Sequence, residues 1–143
     1  MALQDHDERL NLLLIEDDDA VATMYQLTLE QDGYNVHVAR DGLAGLRLAE
    51  EIEPDLIFLD IRLPLLDGLA VLQRLRAQPR TRFTPVVILS AYGEDELRSR
   101  GLELGALEYV IKSQTTPSLI SGRVRAWAST DDVEAEALGQ DAN

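Results

Sequence analysis

Cysteine is absent from this chain of 143 residues, so no disulfide framework and no cysteine zinc site can form. A small protein built this way fits a reducing compartment. Long apolar runs are missing too; none approaches the ~20 residues that a membrane-spanning helix needs. The opening stretch Met1–Leu10 is polar and carries Asp5, Asp7 and Glu8, which is not the pattern of a secretory signal. The expectation is a soluble, cytoplasmic protein with no membrane partner. Positive charge is scarce: 13 basic residues stand against 26 acidic ones, for a formal net charge of −13. The segment Ser129–Asn143 holds Asp131, Asp132, Glu134, Glu136 and Asp141 and no basic residue, and without those five charges the remainder still carries −8. Direct contact with nucleic acid is not expected, because phosphate binding needs a basic footprint. Lysine occurs once, at Lys112, beside twelve arginines.

What is present reads as one α/β domain. A hydrophobic content of 45% and a charged content of 27% are ordinary for a globular fold of this length. Apolar runs alternate with helical patterns. The expected elements are β1 (12–15), α1 (19–31), β2 (35–38), α2 (41–52), β3 (55–60), α3 (67–78), β4 (85–90), α4 (94–104), β5 (107–111) and α5 (117–128). The strand runs are apolar throughout, as in strands covered on both faces. The helices show three-to-four spacing, as in Leu69, Leu72 and Leu75, or Ile120, Val124 and Trp127. Asp41-Gly42 and Asp67-Gly68 sit at helix entries, where aspartate caps free N–H groups. Gly33 and Gly105 follow helices, as C-terminal caps do. Alternation with short loops implies a parallel sheet with right-handed crossovers. The domain is expected over residues 10–128. Residues 129–143 form an acidic tail, either disordered or a frayed extension of α5.

Four strand runs end on residues fit for phosphate or metal chemistry. β1 runs into Glu16-Asp17, β3 into Asp60, β4 into Ser90 and β5 into Lys112. In an open parallel sheet these carboxyl ends share the edge where ligands bind. Asp18 and Asp19 read as helix-capping acids. Carboxylates about 4 Å apart repel by roughly 4 kcal/mol at an effective dielectric near 20, a cost that a resident cation removes. Oxygen ligands without histidine or cysteine suit Mg²⁺; His6 and His37 fall outside the group. Asp60 has two readings, a cap of the loop behind it or a nucleophilic carboxylate that accepts a phosphoryl group. In the second, Ser90 donates a hydrogen bond to one phosphoryl oxygen and Lys112 holds another as a point charge. Burying a lone ammonium is costly without partners, and Asp60 and Asp17 are the expected ones.

Five spaced elements then agree with one family. Glu16-Asp17 follows β1. Asp60 follows β3, with Pro64 and Asp67-Gly68 behind it. Ser90-Ala91 follows β4, Gly105-Ala106 precedes Tyr109, and Lys112 closes β5. From about Leu10 to Trp127 the chain resembles the receiver domain of bacterial two-component response regulators. The resemblance, not the hydrophobic pattern, implies a doubly wound, three-layer α/β/α fold with sheet order 2-1-3-4-5, a family trait. It implies Asp60 as phosphoacceptor, Asp17 as a direct Mg²⁺ ligand, Glu16 as a ligand through water, and the backbone carbonyl of Arg62 as a third protein ligand. It implies Ser90 and Lys112 as phosphoryl contacts, and Tyr109 as an aromatic that swings inward when Ser90 moves. A strand residue with its hydroxyl in water is the alternative for Tyr109.

One departure stands out: Ser113 occupies the place where the family usually has a cis-bonded proline. A cis bond to a non-proline residue costs about 2.5–4 kcal/mol, so a trans bond is expected unless the loop holds a cis one. The resemblance implies that Arg62 and Tyr92, two residues after Asp60 and Ser90, modulate hydrolysis of the phosphoaspartate. Both are large enough to shield it from water, so slow dephosphorylation is expected, with ordinary solvated loop residues as the alternative. The family's responsive face is α4-β5-α5, here carrying Arg98, Arg100, Arg123 and Arg125, with Trp127 expected to pack on the sheet. Gly101 and Gly122 lie mid-helix, where they permit close packing. The implied partners are a histidine kinase or histidine phosphotransfer protein, a downstream protein and a second copy. The expected function is that of a stand-alone receiver, not an enzyme beyond assisting its own phosphorylation and dephosphorylation. The alternative is the receiver of a longer regulator with a separate, for example DNA-binding, output domain. Rival layouts fit poorly. A dehalogenase-like phosphatase would need aspartate where Arg62 stands, and a nucleotide-binding fold would need a glycine-rich loop where Glu16–Asp19 stands.

Overall fold

The computed structural model describes residues 8–141, with side chains described through 129. The readings of Met1–Asp7 and of Ala142–Asn143, at the tip of the acidic tail, lie outside those residues. The elements are β1 (Asn11–Ile15), α1 (Asp19–Gln31), β2 (Asn35–Ala39), α2 (Gly42–Ile52), β3 (Leu56–Leu59), α3 (Gly68–Ala77), β4 (Val86–Ser90), α4 (Asp95–Glu103), β5 (Glu108–Ile111) and α5 (Pro117–Asp141). All neighbouring strands pair parallel in the order β2-β1-β3-β4-β5. No helix among the described residues is long and apolar enough to cross a membrane.

The apolar runs divide by alternation. Leu12, Leu14, Leu56, Phe58, Val87 and Leu89 face one core with Tyr25 and Leu29 of α1 and Ile120, Val124 and Trp127 of α5. Leu13, Ile15, Ile57, Leu59, Val86 and Ile88 face the other with Ala49 of α2 and Val71, Leu72 and Leu75 of α3. Successive strand side chains point to opposite faces, so a strand covered on both sides must be apolar at every position.

Local chemistry sets the helix boundaries. The side chains of Asp18, Asp41 and Asp67 accept hydrogen bonds from the backbone N–H groups of Val21, Ala44 and Ala70. Two of these helices therefore begin one residue after the aspartate that the sequence pattern had counted inside them. Gly33 (φ +96°) and Gly105 (φ +106°) take the left-handed conformation that ends helices. Helix α4 differs: its N-cap, Glu94, makes no side-chain capping bond, and Gly101 is its one buried residue. A Cβ at Gly101 would lie 2.6 Å from Ile88 Cδ1, whereas Gly122 has nothing within 4 Å. Close packing thus accounts for the first glycine and not for the second.

Two clusters tie the layers together. Arg76, near the end of α3, donates to the carbonyls of Thr84 (2.7 Å), Thr81 (3.2 Å) and Gly105 (2.8 Å). It pins the loop before β4 and the turn before β5 at the amino end of the sheet. On the other face Trp127 is buried, edge-on to Phe58 with centroids 5.8 Å apart. Its indole N–H donates to Glu108 (3.0 Å), which also accepts from both Arg123 amino groups. Burial pushes the Glu108 carboxyl up, but the bonds from Arg123 and Trp127 outweigh it and the net direction is down from 4.5. A lowered folded-state pKa gives stability that is present above the unfolded value and lost as pH falls through the folded one. Glu108→Gln should therefore lower the melting temperature near neutral pH by the equivalent of under about 1 kcal/mol, since the pair is partly exposed. The difference from the unaltered protein should shrink as pH falls below about 4.5, read by thermal melts across pH.

Candidate functional site

The parallel ladder extends just past the strands. The N–H of Glu16 donates to Ala39 (2.9 Å) and that of Asp60 to Ile15 (3.1 Å). Each residue is thereby fixed at the carboxyl edge by its neighbour strand. One carboxylate oxygen from each of Glu16, Asp17 and Asp60 lies within 4.8 Å of the others. Glu16 is 2% exposed and Asp60 7%, while Asp17 is exposed.

Lys112 enters this group from the far side. Its Nζ donates to Glu16 Oε1 at 2.5 Å and to Asp60 Oδ2 at 3.1 Å. The expected lysine partners were Asp60 and Asp17; the structure gives Asp60 and Glu16, because Glu16 points inward and Asp17 outward. Asp60 Oδ1 accepts from the Ile61 N–H (2.7 Å) and Glu16 Oε2 from the Asp18 N–H (3.2 Å). Burial would lower the Lys112 pKa, but the bonds and charges of Glu16 and Asp60 overcome it and hold the ammonium above its ordinary value. Burial also dominates at Glu16 and, with the Asp60 charge, pushes its carboxyl up against the pull of Lys112. The causes differ: burial leads at Glu16, and the neighbouring carboxylates prevail over burial at Lys112. Three carboxylates against one ammonium leave two negative charges unmatched. An all-oxygen donor set with two open charges fits a hard divalent cation, Mg²⁺ above all.

The remaining residues lie around this group. Among the described residues there is no cis peptide bond, so Lys112-Ser113 is trans, and a 3₁₀ turn over Lys112–Gln114 follows. The lysine reaches both carboxylates without the family's proline. Ser90 is fully buried at the end of β4, and its Oγ accepts from the Tyr92 N–H (3.1 Å). Tyr109 is 3% exposed, and its hydroxyl donates to the Tyr92 carbonyl. Its ring is thus inside, not a strand residue with its hydroxyl in water. Burial chiefly pushes that hydroxyl's pKa up, with the charges of Glu94 and Asp60 adding to it and Ser90 opposing. The Arg62 guanidinium turns from the carboxylates and lies 4.4 Å above the Tyr92 ring. His37 lies on β2, away from the group.

Sequence reasoning missed two features. Tyr25, on α1, is buried within electrostatic reach of Lys112 and Glu16; burial and Glu16 raise its pKa against the pull of Lys112. No motif marks it. Leu65 has φ +69°, a left-handed conformation costing on the order of 1–3 kcal/mol for such a residue. Nothing in its residue type signals that.

With this geometry in view, three comparisons bear on the chain. The family model described as the response regulator receiver domain matches residues 12–122. The DNA-binding dual master transcriptional regulator RpaA of Synechocystis is 41% identical over 115 residues, covering 80% of this chain and 47% of that protein. The chain spans about half the length of the curated relatives it matches. A putative response regulator from Chloroflexus aurantiacus superimposes with a TM-score of 0.79 at 33% identity, covering 85% of this chain and 99% of that one. The receiver domain of sensor histidine kinase PA1611 from Pseudomonas aeruginosa, solved with a magnesium ion coordinated in its active-site cleft, gives a TM-score of 0.77 at 30% identity, covering 85% and 98%.

Carboxylate oxygens lie within 4.8 Å of one another here, and unit charges at that separation repel by about 3.5 kcal/mol at an effective dielectric near 20, a cost that exposure of Asp17 reduces. Asp17→Asn should raise the melting temperature of the metal-free protein by a few degrees, the equivalent of about 1 kcal/mol. The same substitution should shrink the rise that excess Mg²⁺ produces. Melts in chelator and in Mg²⁺ check both.

Proposed function

The chain belongs to the response regulator receiver family, a family of signalling domains, and on that footing we propose that it is a Mg²⁺-dependent phosphoacceptor switch with Asp60 as the acceptor. The observation that carries this reading is the unmatched charge at the sheet edge: Glu16, Asp17 and Asp60 around the single ammonium of Lys112. Asp17 and Asp60 are the proposed direct ligands of Mg²⁺, with Glu16 acting through water and the Arg62 carbonyl completing the protein set. When bound, the ion supplies neutralisation of the phosphoryl oxygens and in-line geometry.

The donor is a phosphohistidine on a histidine kinase or histidine phosphotransfer protein. A carboxylate oxygen of Asp60 attacks phosphorus, the P–O bond forms, and the P–N bond breaks with its electron pair leaving on the imidazole nitrogen. Lys112, already bonded to Asp60, offsets charge on a phosphoryl oxygen. Ser90 exchanges its bond to the Tyr92 N–H for one that it donates to the phosphoryl group. Because Tyr92 also accepts from the Tyr109 hydroxyl, that exchange reaches the α4-β5-α5 face. Arg98 and Arg123 line that face beside β5, suited to protein contact, whereas Arg125 lies over the Tyr34 ring and Arg100 lines a groove with Arg62 and Leu69. A groove of about 400 Å³ between Arg98, Glu108, Leu119 and Arg123 supports its use by a partner or a second copy.

The proposed output is protein contact in the cytoplasm, without direct nucleic-acid or membrane binding by this domain. Residues 10–128 are the proposed receiver. A second setting, as the receiver of a longer regulator, is favoured by the relatives, whose other half lies beyond the matched region; the chemistry at Asp60 is the same in both.

Acetyl phosphate with Mg²⁺ should add one phosphoryl group to the intact protein by mass spectrometry, and Asp60→Asn should take none. Modification of the Asn variant, or labelling independent of Mg²⁺, would overturn the assignment. Arg62 and Tyr92 stack on each other two residues beyond Asp60 and Ser90, and we propose that the pair slows hydrolysis of the phosphoaspartate. Arg62→Ala or Tyr92→Ala should shorten the phosphoaspartate lifetime several-fold in a phosphate-release assay, and equal lifetimes would reject the shielding role.

A further inference from the structure

We propose that Gly42, at the head of α2, is a positioning residue for the Asp60 site, a role that rests on the phosphoacceptor reading and adds a residue to it. The segment from Asp60 to Gly68 forms a tight arch that carries Arg62. Its base is closed by the Gly68 N–H, which donates to the Ile61 carbonyl at 2.7 Å. Its crown is a three-residue turn in which the Leu66 N–H donates to the Pro64 carbonyl at 2.7 Å around Leu65, whose φ is +69°. A γ-turn of that hand is the rare, strained one. The Leu65 side chain is 74% exposed, so its own packing does not hold the turn.

Gly42 holds it from the other side. Its N–H donates to the same Pro64 carbonyl at 3.2 Å. A Cβ on Gly42 would stand 1.8 Å from the Leu66 carbonyl oxygen and 2.8 Å from Leu66 Cβ. Glycine alone permits that approach, and the atoms in the way are backbone, which cannot swing aside. A strained turn persists only where its surroundings over-determine it, and here the buried head of α2 does so. The physical consequence is that the path of residues 61–66, and with it the placement of the Arg62 carbonyl beside Asp60, depends on a contact from an element that carries no site residue.

The test compares Gly42→Ala with Gly122→Ala in the full chain. Gly122 has nothing within 4 Å, so it controls for a glycine lost from a helix. Mg²⁺ affinity is read by isothermal titration calorimetry, and folding by circular dichroism and thermal melts in chelator. Expected is Mg²⁺ binding weakened by about tenfold or more in Gly42→Ala and within about twofold of the unaltered protein in Gly122→Ala, the range for loss of a residue that orients ligands. Gly42→Ala that melts lower in chelator but binds Mg²⁺ as before would overturn the proposal and leave Gly42 a packing residue only. Should Gly42→Ala fail to fold, hydrogen exchange on the unaltered chain decides. Coupling is reciprocal, so Mg²⁺ should slow exchange at the Gly42 and Leu66 amides, and unchanged rates there would overturn it. If the unaltered chain binds no Mg²⁺, the phosphoacceptor reading itself fails, an outcome distinct from a Gly42 variant that binds normally.

Discussion

A single ammonium shared by two buried carboxylates is the interaction on which this molecule's site depends. Lys112 Nζ bonds Glu16 and Asp60 across separations of 96 and 52 residues. Without it, two acids less than one-tenth exposed would face each other with no protein cation, a placement that low local dielectric punishes severely. With it, the site still carries negative charge in excess, and that incompleteness is what the phosphoacceptor proposal rests on. A fully neutralised cluster would be a structural ion pair and nothing more.

The sheet converts this chemistry into geometry. Parallel pairing brings the carboxyl ends of β1, β3, β4 and β5 to one edge, and continuous apolar packing on both faces keeps strand register from slipping. A slip of one residue would turn every strand side chain to the other core and carry Asp60 away from Lys112. The amino edge is fastened independently by Arg76, which binds carbonyls in the loop before β4 and the turn before β5. One end of the sheet is therefore closed by hydrogen bonds that have no function in the site. The other is held by the Lys112, Glu16 and Asp60 group.

Between site and outer face, the polar links run through Tyr92. Its N–H serves Ser90, its carbonyl serves Tyr109, and its ring carries the Arg62 guanidinium. Helix α4 beside it lacks a side-chain N-cap and buries one glycine, so it is the least anchored of the helices that flank the site. The face that the family reading assigns to output is thus the one whose attachment near Asp60 is weakest. Few buried contacts and an uncapped terminus are what low local stability consists of.

The sequence by itself determined the strands, the caps and the chemical inventory. Apolar runs of period two with both phases filled required strands covered on both sides, and Asp41, Asp67, Gly33 and Gly105 marked helix ends, because these are local properties of a few adjacent residues. Glu16, Asp17, Asp60, Ser90 and Lys112 were legible as candidates from their places at strand tips; the role of Tyr109 and the order 2-1-3-4-5 came through family resemblance, since periodicity says nothing of which strand lies beside which. Only the tertiary structure decided that Lys112 bonds Glu16 in place of Asp17, that the Tyr109 ring lies inside, that Leu65 takes a conformation its residue type disfavours, and that Gly42 meets Leu66. Each of these depends on the direction of a side chain or the approach of two backbones far apart in sequence, and such distances are fixed by how the layers pack rather than by any pattern along the chain.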